Sequence, residues 1–286
     1  MATIIRRKGL GMSSCKGIAE CSRTGIKWVR NDTAPLPDDD LYIRWGCTSN
    51  LPRGPKQRVL NTAGAIHRVA DKLGFRRILQ ENGGLCPKTW FSQYEPDLDP
   101  RGNHAAFPVI LRTKTHHQGR GLWKVHNPKW LRNKCDELGA GHYYINELID
   151  KVAEYRVFVV SGRAVCVAEK TPGNPEDVAW NVAKGGRFDN VRWGNWPTEA
   201  VRKSIDAFML SGLDFGGVDV MVDGDGRSYI LEINSAPSLT SPYRQQCMAK
   251  AFDYIVENGK EMIPMDENID SGWRGVAHPA VREGGR

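Results

Sequence analysis

The sequence predicts a mixed α/β (α+β) protein in which pairs of strands alternate with helices. Two observations lead to this class. Two pairs of β-rich runs, at 155–160 with 164–170 and at 217–222 with 229–234, are each joined by a short polar turn. Runs with apolar residues at helical spacing lie near 61–79, 128–138 and 197–213. Sheets of paired strands covered by helices are therefore expected.

Composition is that of an ordinary globular protein, with 286 residues, 40% hydrophobic and 26% charged. No run approaches the roughly 20 apolar residues of a membrane span, and no membrane partner is expected. The basic start is not followed by an apolar segment, so no signal peptide is expected and a cytoplasmic location is predicted. The formal charge of +7 favours an anionic partner such as a nucleotide, an acidic peptide or a nucleic acid.

The chain divides in order into a small first unit at 1–60, a main unit at 61–258 and a loosely held tail at 259–286. The first unit contains one clear strand, at 41–46. Asn61 is the predicted N-cap of a first helical run, and a second helical run follows it and ends before a pair of glycines at 83–84. The later elements are strands near 85–90, 107–112 and 122–125, a helix at 128–138, the two strand pairs, a helix at 197–213 and a last helix from 242.

Three oxygen-bearing side chains lie on the hairpin at 217–234. Asp219 departs from the apolar alternation of its strand, and Glu232 and Asn234 are two residues apart, so they share one face of the returning strand. Hard oxygen ligands of this kind suit Mg²⁺, which combines one or two carboxylates with substrate phosphates. Asp219 alone would be read as a solvated strand end, but the three together predict a metal site completed by a nucleotide.

A glycine-bearing hairpin at 113–121 joins two predicted strands and contains Lys114, Gln118, Gly119 and Gly121. Glycines allow backbone N–H groups to approach an anion closely, and the basic side chains add positive charge. The hairpin is therefore a candidate phosphate-binding loop, although a simple solvated turn would have the same composition. No Walker A pattern occurs, which argues against a P-loop NTPase.

The order of these motifs resembles the ATP-grasp ligases, especially the RimK-like amide ligases and D-alanine–D-alanine ligase. The resemblance covers about 61–258 and extends to small enzymes encoded by bacteriophages. It implies the ATP-grasp fold, in which two α+β subdomains clasp ATP, here preceded by a reduced pre-grasp domain. The family usually has Lys at the end of the strand entering the phosphate loop, whereas this chain has Arg112. Either Arg112 or Lys114 would then contact the phosphates.

The resemblance also implies roles for further residues. The segment around Glu147, Leu148 and Ile149 matches the adenine-binding hinge at 147–150, and Glu154, seven residues after Glu147, matches the ribose-binding Glu. The residues implied at the reacting phosphate are Arg156, Lys170, and Lys184, Gly185 and Gly186 of a loop that resembles the family's Asn-x-x-Arg-Gly-Gly. The implied metal ligands are Asp219, Glu232 and Asn234, with Mg²⁺ or Mn²⁺ as the cation.

The implied activity is ATP-dependent ligation of a carboxylate to an amine through an acylphosphate, with release of ADP and phosphate. The carboxylate and amine partners would be amino acids, peptides, a protein tail or a modified nucleobase. Two alternatives stay open: an ATP-grasp kinase that stops at phosphorylation, and a catalytically silent basic protein that binds nucleic acid. The intact set of Asp219, Glu232 and Asn234 argues against the silent protein.

Overall fold

The fold was obtained as a computed structural model, which describes residues 1–33, 35–51, 57–93, 107–114, 121–174, 177–178, 180 and 185–259. Three sheets make up this part of the chain. The predicted site residues Gln118, Gly119 and Lys184 lie outside the described residues, as does the predicted tail from residue 260 onward.

The first sheet is parallel and has four strands in the order β2-β1-β3-β4. Its elements are β1 (Ala2–Arg6), α1 (Ser13–Cys21), β2 (Lys27–Arg30), β3 (Leu41–Trp45) and β4 (Arg58–Leu60). Every residue of β1 and of β3 is buried, as expected for central strands of a parallel sheet. The sequence indicated only the third of these strands, so the first unit is more regular than predicted.

The second sheet is antiparallel, with four strands in the order β5-β8-β6-β7. Its strands are β5 (Thr89–Trp90), β6 (Val109–Thr113), β7 (Leu122–Val125) and β8 (Tyr143–Glu147). The helices of this part of the chain are α2 (Ala63–Ala70), α3 (Lys72–Glu81) and α4 (Pro128–Leu138). The predicted helix at 128–138 and the predicted strand at 122–125 are confirmed.

The N-cap of α2 is Thr62, and the prediction of Asn61 is wrong. The Thr62 hydroxyl accepts a hydrogen bond from the Ala65 N–H at 3.2 Å. Asn61 is instead fully buried with a left-handed φ of 63°. Its side-chain oxygen accepts hydrogen bonds from the N–H groups of Asp214 and Phe215, at 2.8 and 3.1 Å. These hydrogen bonds connect the start of α2 to the start of a strand more than 150 residues later.

The third sheet is antiparallel, with five strands in the order β11-β10-β9-β12-β13. Its strands are β9 (Lys151–Val160), β10 (Arg163–Thr171), β11 (Arg187–Asn190), β12 (Phe215–Asp223) and β13 (Ser228–Asn234). The remaining helices are α5 (Thr198–Ser211) and α6 (Pro242–Asn258). Both predicted strand pairs and both predicted helices are confirmed, and the long β9 and β12 occupy the middle of the sheet.

The third sheet has a hydrophobic core on each face. One core combines Phe158 and Phe215 of this sheet with Trp45 of the first sheet and Phe252 of α6, and the Phe215 ring stacks on Trp45 at 5.3 Å. The other core combines Val218 with residues of α2, α3 and α5. The first sheet is therefore packed directly onto the third, which brings the loop after β1 close to the charged edge of β9 and β12.

Candidate active site

One cavity, of about 1000 Å³, is lined by residues of the second and third sheets and by the loop that follows β1 of the first sheet. Loop residues after β1, side chains of α3, the strands β6 and β8, and the strands β9, β12 and β13 all contribute to its wall. The predicted site residues that line it are Arg112, Glu147, Leu148, Ile149, Glu154, Arg156, Lys170, Asp219, Glu232 and Asn234. The fold therefore brings together residues that are spread over more than 120 positions of the sequence.

Asp219 is the centre of a buried network of charges. Strand register places it opposite Arg156 on β9 and opposite Glu232 on β13. The Arg156 guanidinium binds it in a bidentate manner, with Nε 2.6 Å from Oδ1 and Nη2 2.8 Å from Oδ2. The Lys170 ammonium lies 3.0 Å from the same Oδ2. Burial by itself would raise the pKa of Asp219, but the charges and hydrogen bonds of Arg156 and Lys170 hold it well below its ordinary value.

Glu154 extends this network toward the other side of the cavity. Its Oε1 is 2.5 Å from the Lys170 ammonium, and its Oε2 is 2.5 Å from the Lys151 ammonium. Lys151 also donates to the Val178 carbonyl at 3.0 Å and lies 4.4 Å from the centre of the Trp180 ring. Each carboxylate oxygen can accept more than one hydrogen bond, so Glu154 retains acceptor capacity for hydroxyl groups while it is paired with both lysines.

The aromatic ring of Phe188 on β11 lies close to three cationic side chains. The Arg156 guanidinium carbon lies 4.9 Å from the ring centre, the Lys170 nitrogen 5.6 Å and the Arg244 guanidinium carbon 5.9 Å. Positive charge is attracted to the electron-rich face of an aromatic ring, most strongly where water is excluded. Phe188 therefore helps to fix the positions of Arg156 and Lys170, a role that no motif in the sequence indicated.

Glu232 and Asn234 lie beside Asp219 and complete the predicted metal set. Asn234 Nδ2 donates to Glu232 Oε1 at 3.2 Å, so its amide oxygen is the atom left to bind a cation. Glu232 Oε2 is 2.6 Å from the Lys72 ammonium of α3. Burial raises the pKa of Glu232 and Lys72 lowers it, with a net result below the ordinary value. Two ionised carboxylates and an amide oxygen fit a hard cation. In this structure the positive charge beside Glu232 is the Lys72 ammonium.

The described residues contain no cluster of three or more His, Cys, Asp and Glu side chains suited to a metal. The candidate set of two carboxylates and one amide is the kind of partial set that Mg²⁺ completes with water and phosphate oxygens.

Among the helices of the described residues, none combines the length and the apolar composition of a membrane span.

The predicted hinge, residues 147–150, also lines the cavity. The Glu147 N–H donates to the Lys88 carbonyl at 2.9 Å, and the Ile149 carbonyl accepts from the Lys151 N–H at 3.0 Å. Reading of a base would thus fall to the remaining backbone groups of 147–150. Ile149 packs with Met221, and the cluster they belong to also contains Tyr229 and Leu231. Such an apolar surface beside exposed backbone suits a flat heterocycle.

Four predicted site residues are described but are not among those that line the cavity. Lys114 is exposed at the end of β6, and Gly121 follows the same loop with a φ of 66°. Gly185 is exposed with a φ of 80°, whereas Gly186 is buried. Of the two candidate phosphate ligands, Arg112 therefore lines the cavity and Lys114 does not.

The cavity wall also contains residues that sequence analysis did not single out. They are Arg7, Gly9, Leu10, Lys72, Arg76, Lys151, Trp180, Phe188, Met221 and Leu231. One signal was available, because Lys72 and Arg76 are four residues apart and so share one face of α3. The others depend on contacts between distant segments, which a single sequence does not reveal.

The cavity is lined by two antiparallel sheets, and its wall contains the carboxylates Asp219 and Glu232 together with residues 147–150, the predicted hinge. Residues 69–255 match the RimK-like ATP-grasp domain. Since this match covers more than half of the chain, the protein belongs to the RimK-like ATP-grasp family. The comparisons do not test the resemblance to bacteriophage enzymes.

Among curated proteins, the chain is similar to a probable alpha-L-glutamate ligase of Shewanella halifaxensis, with 28% identity over 186 residues. The match covers 63% of this chain and 39% of that protein, so the chain spans about two fifths of the relative's length.

Among solved structures, it resembles the ATP-grasp ligase PsnB complexed with a minimal precursor, with a TM-score of 0.64, 14% identity, and coverage of 87% of this chain and 97% of PsnB. PsnB is also known in complex with minimal precursor, Mg and ADP. The D-alanine–D-alanine ligase of Bacillus anthracis complexed with ATP gives a TM-score of 0.61 with 13% identity, over 91% of this chain and 95% of the ligase. These structures establish the shared fold.

Proposed function

We propose that this protein is an ATP-dependent carboxylate–amine ligase that forms an amide bond through an acylphosphate. The observation that carries the proposal is the convergence, on one cavity, of the Asp219, Arg156 and Lys170 network with the hinge residues and with Glu232 and Asn234. In the proposed reaction a carboxylate oxygen attacks the γ-phosphorus of ATP and ADP leaves. The amine nitrogen then attacks the acyl carbon, and phosphate leaves as the nitrogen loses a proton.

The proposed metal ligands are Asp219, Glu232 and Asn234, with Mg²⁺ as the cation and Mn²⁺ as a substitute that accepts the same oxygen ligands. When bound, the metal would neutralise phosphate charge during transfer. Before that, Arg156 and Lys170 neutralise Asp219, and Lys72 neutralises Glu232. The protein's own cations therefore keep the ligand set ionised and closely spaced in the absence of a metal.

Arg156 and Lys170 are the proposed groups that stabilise charge developing on the transferred phosphate and on the acyl carbon oxygen. Both are held by Asp219 and lie over the Phe188 ring, so their positions are fixed before substrate arrives. Fixed donors in a site that excludes water stabilise a transition state without the cost of reorganising solvent. The loop containing Lys184, Gly185 and Gly186 is proposed to cover the site and keep water from the acylphosphate.

Nucleotide binding is assigned to the hinge at 147–150, to Arg112 at the end of β6, and to the loop containing Lys114, Gln118, Gly119 and Gly121. Ile149, Met221 and Leu231 provide the apolar wall for the base. For Glu154 we retain the ribose as the proposed partner, bound through acceptor positions beside those used by Lys151 and Lys170.

The proposed substrates are an amino acid or peptide carboxylate and an amino acid or peptide amine. The support is the character of the related proteins, which are a probable glutamate ligase, a D-alanine–D-alanine ligase and a ligase complexed with a precursor. The first sheet supplies Arg7, Gly9 and Leu10 to the cavity and is the proposed source of substrate selectivity. A cytoplasmic location is the setting in which ATP is available, and it stays a prediction.

A test of the proposal uses hydroxylamine as a surrogate amine, together with ATP, Mg²⁺ and a panel of amino acids and acidic peptides. A ligase is expected to form hydroxamate from its acid and to release phosphate in equal amount. Transfer of phosphate to a stable product without hydroxamate would show a kinase instead. Absence of any ATP consumption or binding would contradict the enzyme assignment altogether.

A further inference from the structure

Arg76 on α3 is a buried guanidinium that lines the cavity. Only 5% of its surface is exposed. Its Nη1 donates to the Thr89 hydroxyl at 3.0 Å, and its guanidinium carbon lies 5.9 Å from the centre of the Tyr144 ring. Its Nε is buried and has no hydrogen-bond partner, and within the described residues no carboxylate lies within ion-pair distance of it. A full positive charge is therefore held inside the protein by one hydroxyl and one ring.

Arg112, on β6, resembles Arg76 in the environment of its Nε atom. Its Nε is also buried without a hydrogen-bond partner, and it lines the same cavity. Burial lowers the pKa of Arg76, and the positive charge of Arg112 adds to the effect. Arginine nevertheless stays protonated in proteins, so both groups remain charged. Arg112 is only partly buried, but a buried cation such as Arg76 without an ion-pair partner is costly, because one hydroxyl and one ring replace little of the hydration that it loses.

The position of Arg76 identifies the kind of anion that is missing. Lys72 lies one turn earlier on α3 and binds Glu232 of the candidate metal set. The Thr89 hydroxyl that accepts from Arg76 also accepts from Asn146 Nδ2 at 2.7 Å, and Asn146 directly precedes the hinge residue Glu147. Arg76 is therefore linked through Thr89 to the strand that enters the predicted hinge, and it lies one helical turn from the lysine that binds Glu232, so it connects the predicted base site with the predicted metal site.

We propose that Arg76 binds the phosphate chain of ATP, together with Arg112, and is a nucleotide-binding residue of this protein. This inference rests on the proposed function, since it concerns the same cavity. A planar guanidinium presents two parallel N–H groups to phosphate oxygens, and the pair of arginines supplies a broad cationic surface where a lysine would supply a point charge.

The test compares Arg76→Met with Arg77→Met by calorimetric titration with ATP, AMP and adenosine. Arg77 is the next residue of α3, is exposed, and stacks on Phe91 with its guanidinium carbon 5.3 Å from the ring centre. The same change of charge is therefore made at an exposed position of the same helix. Arg76→Met is expected to weaken ATP binding by about tenfold or more and to leave adenosine binding within about twofold, whereas Arg77→Met leaves both unchanged.

A melting experiment supplies a second readout. Ligand-free Arg76→Met is expected to melt at or above the wild-type temperature, because an unpaired buried charge has been removed, while its stabilisation by ATP is reduced. Arg76→Gln, which keeps a donor for the Thr89 hydroxyl, replaces the methionine variant if that variant does not fold. Equal ATP affinity in wild type and in the Arg76 variants would overturn the inference.

Two further outcomes would also overturn it. Equal loss of ATP and adenosine affinity in the Arg76 variants would show a structural role. Unchanged ATP affinity with a lost response to glutamate in the hydroxamate assay would assign Arg76 to the carboxylate substrate. If wild-type protein itself fails to bind ATP, the proposed function falls and this inference with it, so the two failures are distinguishable.

Discussion

The substitution Asp219→Asn tests the charge network through stability. The side chain of Asp219 is 4% exposed and accepts from Arg156 at 2.6 and 2.8 Å and from Lys170 at 3.0 Å. Asparagine has the same volume, so no cavity forms, but the negative charge is lost. Lys170 retains Glu154, whereas Arg156 retains no carboxylate within ion-pair distance among the described residues. Leaving one buried charge uncompensated costs about 3 to 5 kcal/mol.

For a chain of this size, each kcal/mol lowers the melting temperature by roughly 2 to 4 °C. Asp219→Asn is therefore expected to melt about 10 °C below wild type, in differential scanning calorimetry at pH 7 without nucleotide. The pH dependence has a definite sign. The pKa of Asp219 is lower in the folded than in the unfolded state, so its contribution is complete above the unfolded value of about 4 and is lost as the pH falls below it.

The difference between wild type and Asp219→Asn should thus narrow as the pH is lowered below about 4. The matched variant is Glu232→Gln, which removes the other candidate metal carboxylate, whose side chain is 26% exposed and paired with Lys72 at 38% exposed. Its stability should change by less than about 1 kcal/mol. A melting temperature of Asp219→Asn close to that of Glu232→Gln would refute the argument that the network is energetically buried.

Three further predictions follow from the same geometry. Glu232→Gln is expected to abolish ADP release, because a hard anionic ligand is lost, and full activity would remove it from the ligand set. Arg156→Lys keeps the charge but loses bidentate geometry, so hydroxamate formation should fall at least about tenfold, with ATP affinity nearly unchanged by titration. Gly216→Ala places a carbon 2.9 Å from the Asn234 carbonyl oxygen and should destabilise the protein by about 2 kcal/mol in urea unfolding, whereas Gly224→Ala, with nothing closer than 4.0 Å, should not.

Local patterns were sufficient to predict the main part of the fold. The hairpin of β12 and β13 is defined by alternating apolar residues and a glycine-bearing turn, so the proximity of Asp219 to Glu232 followed from the sequence. Helices α4 and α5 have clear periodicity and end at Gly139 and Gly212. In each case the information lies within about 20 neighbouring residues.

The first sheet was mostly missed because its strands are short and their partners are distant. β4 has three residues, and β2 has no buried residue, so neither shows a strand pattern by itself. Parallel pairing also leaves no hairpin turn in the sequence to mark it. The burial of β1 and β3 on both faces becomes evident only in the fold, where α6 and the third sheet cover one face and Leu36 and Leu51 pack against the other.

The partners of the site residues were likewise beyond local reasoning. Asp219 was predicted as a metal ligand and Arg156 as a phosphate ligand, but their mutual ion pair spans 63 positions and depends on the register of β9 with β12. Phe188, which supports the cations, comes from the edge strand β11. Lys72 reaches Glu232 from α3 across a still longer separation. Such contacts are set by tertiary packing.

The most direct test of the account is a structure of the protein with a non-hydrolysable ATP analogue and Mg²⁺. We expect the base against Ile149 and Met221 beside the backbone of 147–150, the phosphates at Arg112, and the metal on Asp219 and Glu232. Occupancy of the cavity in this orientation would support the ligase assignment and its division of labour. A nucleotide bound elsewhere, or a metal that contacts neither carboxylate, would contradict it.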